Sequence, residues 1–245
     1  MRIINIIIVS IWLLISSIST THALTIGVES TSYEPYYYVS TEKKYQGAAR
    51  DIFDLFFQVS QLNIDYSPMP VPRLFNEFVK GTIELKFPDN PLWIKSLKSD
   101  VKVHYSEPIF DITESVLVLK SDQPEVAKSE IKTVGTIFGF TTPGIANEIK
   151  ENSLTATRTK VVEQLIHMLV SERVQAVYFN KNVAMNLIKE MYPEESLVQH
   201  SKFPAFKYAY HLSSINHPKL IELFNKFLVS HAEQVTKIKH RYGLK

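Results

Sequence analysis

Side chains with binding chemistry follow a hydrophobic strand pattern in two separate parts of the chain. In the first part, Asp89, Asn90 and Trp93 come directly after an alternating apolar segment. In the second, Asn180 follows another short apolar run. A carboxylate attracts cations, an amide both donates and accepts hydrogen bonds, and an indole ring stacks on flat or cationic groups. These residue types at the ends of strands provide the means to hold a small solute.

Each set is positioned by a predicted helix followed by a predicted strand, and the two units can be aligned. The first unit is Arg73–Trp93, in which Gly81 is expected to end the helix, and the second is Val161–Asn182. In this alignment Asp89 falls opposite Asn180. Helix–turn–strand units also recur by chance in α/β proteins. A unit repeated with a polar loop at its end favours two similar lobes.

The strand of the first unit is expected to be half-buried. Ile83, Leu85 and Phe87 alternate with polar residues that include Lys86, which is the period of a strand with one solvent-facing side. Pro88 is expected to end this strand. The pattern therefore predicts a loop that begins at Pro88.

Two further loops after predicted strands contain candidate residues, each with two interpretations. Tyr33 and Tyr36 lie in an aromatic loop that forms either a stacking wall for a ligand or ordinary packing at a lobe edge. For any single tyrosine, packing is the more common role. Thr141 and Thr142 supply hydroxyl and backbone N–H groups that suit an anion, but they equally suit the N-cap of the following helix.

The first 23 residues have the pattern of a secretory signal peptide. Arg2 supplies a positive charge, Ile3–Ile18 is almost wholly apolar, and Thr21–Ala23 matches a small-x-Ala cleavage site. A retained anchor is the alternative, but this run is short for a membrane span of about 20 residues. We expect cleavage after Ala23 and a soluble mature protein. No cysteine follows the site, so no lipid anchor is expected.

Composition excludes several classes of function. The chain has 245 residues, a formal net charge of +2, no cysteine and only seven glycines. The absence of cysteine excludes disulfides and thiolate metal sites, and the near-neutral charge gives no indication of nucleic acid or a membrane surface as a partner. No glycine-rich phosphate motif, HExxH pattern or GxSxG pattern is present. We therefore expect no metal, no cofactor and no catalytic activity.

Strands alternate with helices throughout, which predicts an α/β fold with mainly parallel sheets. The ordered elements resemble the bacterial extracellular solute-binding proteins of family 3, the periplasmic receptors of amino-acid-type ABC importers. The resemblance covers essentially all of the mature chain and rests on short segments that become specific in this order. They are Tyr33–Tyr36, Gly47 with Asp51, Lys80-Gly81, Tyr105–Pro108, Val134-Gly135 with Gly139 and Thr141, and Arg241–Gly243.

The resemblance implies a type II-like periplasmic binding protein fold, in which two α/β lobes are joined by two hinge crossings. Lobe one would comprise residues 24–111 and 207–245, and lobe two residues 112–206. Ligands bind beyond the carboxyl ends of parallel strands, and closure of the lobes would trap the solute. The implied protein is a periplasmic monomer whose partners are a small-molecule solute and an ABC permease. A periplasmic sensor for a membrane signalling protein is the alternative. A dehydratase-like enzyme on the same scaffold is less favoured, because no positioned acid–base motif is evident.

Two positions depart from the amino-acid receptors of this family. The segment after the lobe-one strand lacks the arginine that binds the α-carboxylate, and Lys95 or Lys98 would replace it only as a point charge. The acidic residue that binds the α-ammonium is replaced by Asn180, which keeps a hydrogen bond but loses most of the Coulomb attraction. The usual amino-acid clamp is therefore not expected.

The residues expected to line the cleft combine aromatic rings, amides, hydroxyls, one acid and one arginine at a helix start. They are Tyr33, Tyr36, Trp93, Asn90, Asn180, Thr141, Thr142, Asp89 and Arg73. This set predicts a small polar or zwitterionic solute, aromatic or cationic in character, held by stacking and hydrogen bonds.

Overall fold

Strands and helices alternate along the residues that the computed structural model describes, 23–120 and 131–244. The strands are β1 (Leu24–Glu29), β2 (Tyr38–Val39), β3 (Tyr45–Gln46), β4 (Ile64–Met69), β5 (Leu85–Asp89), β6 (His104–Tyr105), β7 (Phe110–Leu119), β8 (Thr133–Ile137), β9 (Thr155–Thr159), β10 (Ala176–Asn180), β11 (Leu197–Gln199) and β12 (Phe206–Ser214). The helices are α1 (Ala48–Ser60), α2 (Val71–Val79), α3 (Ala146–Lys150), α4 (Val162–Val170), α5 (Lys181–Met191), α6 (Pro218–Ser230) and α7 (Ala232–Arg241). The expected signal peptide, apart from Ala23, lies outside the described residues.

The strands form a curled mixed sheet in the order β4-β1-β5-β12-β7-β10-β8-β9, with β6 beside β12 and β11 beside β7. β1 runs parallel to β4 and β5, and β8 runs parallel to β9 and β10. The antiparallel strands β7 and β12 lie between these two parallel groups. The predicted α/β fold is confirmed, and its strands form one mixed sheet with a parallel group towards each end.

β12 connects the two parts because it changes its partner along its length. Residues 206–210 pair with residues 110–114 of β7, whereas His211 pairs with Asp89 and Ser213 with Lys86 in β5. Two antiparallel strands that pass between two parallel groups are the crossings expected of a two-lobed fold. Among the described residues, no helix is long and apolar enough to cross a membrane.

β5 is buried on both faces, so the prediction of a half-buried strand was wrong. Phe87 packs edge-on against Phe53 of α1, with ring centroids 5.0 Å apart. On the other face, Lys86 is 0% exposed and its Nζ lies 3.9 Å from the ring centroid of Phe75 in α2. A strand between helices on both faces has no solvent side, even where its sequence alternates.

Pro88 does not end this strand, as the sequence had predicted, because β5 continues through it to Asp89. The pairing of β5 with β12 is irregular between His211 and Ser213, opposite Pro88. A proline, which lacks an N–H group, is tolerated at such an irregularity in the ladder.

Prolines lie within two elements of the first part. Pro68 is in β4 and Pro72 is in the first turn of α2. Proline suits the first turn of a helix because the N–H groups there have no intrahelical partner. The helices α6 and α7 at the end of the chain are separated by His231, whose ring stacks on Phe227 at 4.9 Å.

Candidate functional site

A cavity lies where the two parts of the molecule meet, and the empty space of about 310 Å³ at this place includes volume that is open to solvent. From the first part it is lined by the end of β1, the start of α2 and the loop after β5. From the second part it is lined by the loop after β8, and the crossing strands β7 and β12 form its floor. The cavity therefore lies beyond the carboxyl ends of the parallel strands, where α/β folds bind ligands.

Glu29, the last residue of β1, is one of two buried carboxyl groups in the cavity wall and is 2% exposed. The hydroxyl of Tyr37 donates a hydrogen bond to its Oε2 at 2.7 Å. Burial raises the pKa of Glu29 to about 7, although Lys86 and the Tyr37 hydroxyl act to lower it. The group is therefore poised to gain or lose a proton near neutral pH.

Glu114 of β7 is the second of these carboxyl groups and is 4% exposed. The hydroxyl of Tyr208 donates to its Oε1 at 2.7 Å, whereas Oε2 is buried and no described residue contacts it in hydrogen-bonding geometry. Burial raises the pKa of Glu114 to about 7, and the hydroxyls of Tyr208 and Tyr178 lower it only in part. A buried acceptor without a donor is unusual and points to a missing ligand or water.

Aromatic rings make up much of the remaining wall. Trp93 packs edge-on against Tyr208 and Tyr210, with centroids 5.7 and 5.6 Å apart, and Phe75 and Phe140 line the cavity as well. The negative faces of such rings stabilise a cation within about 6 Å. Rings and carboxylates together suit a positively charged group.

In the part of the chain that the structure describes, no three His, Cys, Asp or Glu side chains come together in a way that would hold a metal ion.

The two parts of the molecule touch at the edge of the cavity, where Gly139 faces the start of α2. A Cβ atom at Gly139 would lie 3.1 Å from Cδ of Pro72 and 3.2 Å from Cβ of Val71. Gly139 also has a φ of +87°, a conformation that disfavours other residues. Glycine at this position lets the loop after β8 approach α2 closely.

Among the residues predicted from the sequence, Trp93 and Thr141 line the cavity. Arg73 is exposed on α2. Thr142 is partly buried and precedes a short 3₁₀ turn, but its side chain makes no cap hydrogen bond. Lys95 is exposed as well.

Asp89 is 0% exposed and both of its oxygens have internal partners. Oδ1 lies 3.4 Å from Nζ of Lys86 and 3.3 Å from Nζ of Lys98, and the hydroxyl of Ser213 donates to Oδ2 at 2.7 Å. Lys98 also donates to the Asn90 carbonyl at 2.8 Å. This cluster, Lys86–Asp89–Lys98, is an internal ion network beside the cavity.

The two predicted amides, Asn90 and Asn180, terminate their strands. Nδ2 of Asn90 donates to the Ala209 carbonyl and its Oδ1 accepts from the Leu92 N–H, both at 2.8 Å. Oδ1 of Asn180 accepts from the N–H groups of Asn182 and Val183 and caps α5. Both amides stabilise the turns that leave the strands.

Tyr33 and Tyr36 are buried in an aromatic cluster beneath the cavity. Tyr33 stacks on Tyr37 with centroids 5.4 Å apart, and its edge meets Phe179 at 5.0 Å. Tyr36 packs edge-on against Phe110 at 5.4 Å. These contacts correspond to the packing interpretation of the aromatic loop.

Sequence reasoning missed the two carboxyl groups and several of the rings that line the cavity. Glu29 follows directly on the apolar segment Leu24–Val28, and Glu114 lies two residues before the apolar run Val116–Leu119. An acidic residue next to an apolar run is a signal of a functional site, because burying a carboxyl group costs free energy unless it has a partner.

Several solved structures share this fold. An ancestral arginine-binding protein bound to arginine has a TM-score of 0.72 at 18% identity, covering 90% of this chain and 97% of that chain. A histidine kinase sensor domain with similarity to periplasmic binding proteins has a TM-score of 0.73 at 14% identity, covering 90% and 96%. An ABC uptake transporter substrate-binding protein from Streptococcus pneumoniae, with bound histidine, has a TM-score of 0.71 at 17% identity, covering 90% and 92%. At these identities the likeness establishes the fold alone.

A comparison with curated protein sequences gave no match. The model of the family described as bacterial extracellular solute-binding proteins, family 3, matches residues 24–245. This match spans both parallel groups of strands, both crossing strands and all of the cavity lining. The chain belongs to family 3 of the bacterial extracellular solute-binding proteins.

Proposed function

We propose that this protein traps a small, positively charged solute between two lobes in the periplasm and presents it to a membrane protein. The observation that carries the proposal is the cavity between the two parts, with Glu29 and Glu114 buried in its wall. Family membership supports solute binding, and the chemistry of the wall supports the charge of the solute.

A cationic solute complements both the carboxyl groups and the aromatic rings of this cavity. It supplies donors for the carboxylates, of which Glu114 has an oxygen without a donor among the described residues, and charge-assisted hydrogen bonds of this kind are strong. Lys86 already lies over the rings of Phe75 and Trp93. The cation–π attraction for a solute therefore comes mainly from the other rings of the wall, such as Tyr208 and Phe140. An ancestral protein with this fold binds arginine, so the fold itself accommodates a basic solute.

In this proposal lobe one comprises residues 24–111 and 207–245, and lobe two residues 112–206. The change of partner along β12, between Tyr210 and His211, supports a hinge at the crossing strands. Separation of the lobes about β7 and β12 would open the cavity to solvent, and closure would bring Gly139 back against α2.

The residues predicted from the sequence take different roles in the proposed site. Trp93 and Thr141 contact the solute directly, together with Glu29 and Glu114. The others act from behind the wall or at its rim. Asp89, Asn90 and Asn180 hold the strand ends, Tyr33 and Tyr36 support the floor, and Arg73 and Thr142 lie at the rim.

The membrane partner is proposed to be an ABC permease, with a membrane sensor protein as the second candidate. Solved proteins with this fold include a transporter substrate-binding protein and a histidine kinase sensor domain. The lobes would be the same in both roles, so the test is a pull-down of detergent-solubilised membranes with the solute-loaded and solute-free protein. An ABC permease retained only by the loaded form supports transport, and a retained kinase or cyclase supports sensing.

A thermal-shift screen tests the proposed solute class. The protein, expressed from its full sequence, is unfolded and refolded to remove bound solute, and is then mixed with amines, basic and neutral amino acids, and organic acids. A bound solute at 100 times its dissociation constant adds about 2.7 kcal/mol to the free energy of unfolding. We expect cationic solutes to raise the melting temperature and organic acids to have no effect. A response to organic acids alone would contradict the proposed charge.

Mass spectrometry of the solute after release tests whether binding occurs without catalysis. We expect the recovered solute to have an unchanged mass. A changed mass, absent when the same solute is incubated with the Glu114→Gln variant, would instead assign an enzyme activity to the cavity.

A further inference from the structure

The ionisable groups around the cavity are unequally distributed. Two carboxyl groups line it, Glu29 and Glu114, whereas no lysine, arginine or histidine among the described residues does so. Lys86, the nearest cation to Glu29, lies on the ring of Phe75 rather than in the wall. A solute that enters therefore meets negative groups without a facing positive one.

The neighbouring lysines are engaged elsewhere. Nζ of Lys86 donates to the Pro88 carbonyl and lies 3.4 Å from Asp89. Lys98 donates to Asp89, to the Asn90 carbonyl and to the hydroxyl of Tyr105. Neither ammonium group is available to pair with an anionic group of a solute unless this network breaks.

The surroundings of Glu114 differ from those of Glu29. Lys86 offsets part of the charge of Glu29, but the polar neighbours of Glu114 are the uncharged hydroxyls of Tyr208 and Tyr178. An ionised Glu114 therefore has no cationic neighbour within the described part of the chain that offsets its charge. Its Oε2 makes no hydrogen bond of regular geometry there, and the only further support is the uncharged Tyr178 hydroxyl. A cationic group of the solute would supply both the offsetting charge and a hydrogen-bond donor.

We propose, on the basis of the function proposed above, that the solute is an organic amine or guanidine without a carboxylate group, not an amino acid. The α-carboxylate of an amino acid would be desolvated in a cavity that holds two carboxyl groups and no facing cation. Thr141 provides a hydroxyl, which hydrogen-bonds an anion but does not neutralise it. Rejection of one charge by another of the same sign is an effective source of specificity.

Pairs of solutes that differ only in the carboxylate test this inference. Refolded protein is titrated by calorimetry at pH 8 with agmatine and arginine, cadaverine and lysine, histamine and histidine, and tyramine and tyrosine. We expect the amine to bind at least tenfold more tightly than its amino acid in every pair that binds. An amino acid that binds as tightly as its amine, or more tightly, would overturn the inference but leave solute binding intact.

Failure of the underlying function gives a different result. If none of these compounds binds and a wider panel of solutes also gives no thermal shift, both the solute-binding proposal and the inference are overturned. If only neutral or acidic solutes bind, the inference and the proposed positive charge of the solute are both overturned, whereas solute binding itself stands.

Variants that remove one carboxylate test which group causes the preference for amines over amino acids. Glu114→Gln keeps the size of the side chain but removes its charge, and we expect at least a 100-fold loss of amine affinity with a smaller change for the matching amino acid. Glu34→Gln removes the same charge from an exposed position outside the cavity wall and serves as the matched control. A Glu114→Gln variant that is folded by circular dichroism and binds the amine like the control would overturn the inference. If that variant fails to fold, Glu29→Gln is tested in the same way.

Discussion

Two groups of buried charges lie side by side in this molecule, and their surroundings differ. In the Lys86–Asp89–Lys98 cluster the carboxylate contacts two ammonium groups and accepts a hydroxyl donor. In the cavity wall, Glu29 and Glu114 each accept one tyrosine hydroxyl, and Oε2 of Glu114 has no donor among the described residues. In the first group the protein itself supplies the charge and hydrogen-bond partners of the carboxylate. In the second group a carboxylate oxygen can still accept a hydrogen bond from a ligand.

A polar residue at a strand end is therefore not in itself a binding residue. Asp89 lies at the end of β5 as Glu29 lies at the end of β1. Asp89, however, pairs with Lys86 and Lys98. Whether a buried carboxylate needs a ligand depends on how many of its hydrogen-bond acceptor positions the protein leaves unfilled. If the Lys86–Asp89–Lys98 cluster is structural and the cavity carboxyls are binding groups, variants of the cluster should change stability and variants of Glu29 or Glu114 should change solute affinity.

The largest expected effect is on stability, from Asp89→Asn. Removal of this charge leaves two buried lysines without their counter-ion, and breaking a buried ion pair in this way costs about 3–5 kcal/mol. Urea unfolding followed by circular dichroism measures the loss. We expect the folded variant to retain its preference among solutes.

The matched control for this measurement is Glu233→Gln, which removes a carboxylate from the exposed pair with Lys237. Exposed pairs of this kind contribute little to stability, so no measurable change is expected. If Asp89→Asn were as stable as this control, the cluster would not be a structural group and the comparison would fail.

In the solute-free protein, Glu114→Gln is expected to raise the free energy of unfolding at pH 8, whereas Asp89→Asn lowers it. The pKa of Glu114 is raised from 4.5 to about 7 by burial, so between these values the native state holds a proton that the unfolded state has lost. Native stability therefore falls as pH rises from about 4.5 to about 7, by about 3 kcal/mol in total, and stays low above pH 7.

Glutamine has no such ionisation cost. The variant should therefore be more stable than the parent protein at pH 8 and of similar stability at pH 4, as measured by urea unfolding at both values. A variant less stable than the parent at pH 8 would show that the ionised carboxylate stabilises the fold, as Asp89 does, and would remove the distinction between the two groups.

Much of the fold could be predicted from local pattern. The alternation of strands and helices gave the α/β class, and Gly81, with a φ of +72°, does follow the end of α2. The environment of Lys86 could not be predicted in this way. Periodicity reports polarity along a strand, but it does not report that a second helix covers the polar face or that Asp89 pairs with the lysine there.

The site was predictable only in part, for a related reason. Trp93 and Thr141 were found because they follow strands, where ligands bind. The role of Asp89 depends on Ser213, 124 residues away, and that of Glu114 on Tyr208, 94 residues away. Which strand-end group is satisfied internally and which faces the cavity is decided by these long-range partners, and no local spacing encodes them.

Solute affinity should depend on pH through the ionisation of Glu29 and Glu114, and not through the Lys86–Asp89–Lys98 cluster. Burial raises the pKa of Glu29 and of Glu114 to about 7, opposed by Lys86 and Tyr37 at the first and by Tyr208 and Tyr178 at the second. A cationic solute binds best when both carboxyls are ionised. Affinity should therefore rise from pH 6 to pH 8 by about tenfold for each carboxyl that must lose a proton.

Calorimetric titration with agmatine at several pH values, in buffers of different ionisation enthalpy, measures both the affinity and the protons released. Glu114→Gln should lower the proton release at pH 6, whereas Glu34→Gln should leave it unchanged. An affinity that is independent of pH over this range would indicate that the cavity carboxyls do not pair with the solute.

The smallest expected effect comes from Gly139→Ala. This variant tests whether solute affinity depends on close contact between the two parts of the molecule. The added Cβ would lie 3.1 Å from Pro72 and 3.2 Å from Val71, so the parts must separate slightly. We expect affinity to fall by about tenfold, or about 1.4 kcal/mol, mainly through faster dissociation in stopped-flow measurements. Gly243→Ala is the matched control, because Gly243 also has a positive φ, +69°, but a Cβ there would meet nothing within 4 Å. The Lys86–Asp89–Lys98 cluster lies within one part and should be unaffected by either variant. Equal losses of affinity in the two variants would attribute the effect to backbone strain and not to closure of the two parts.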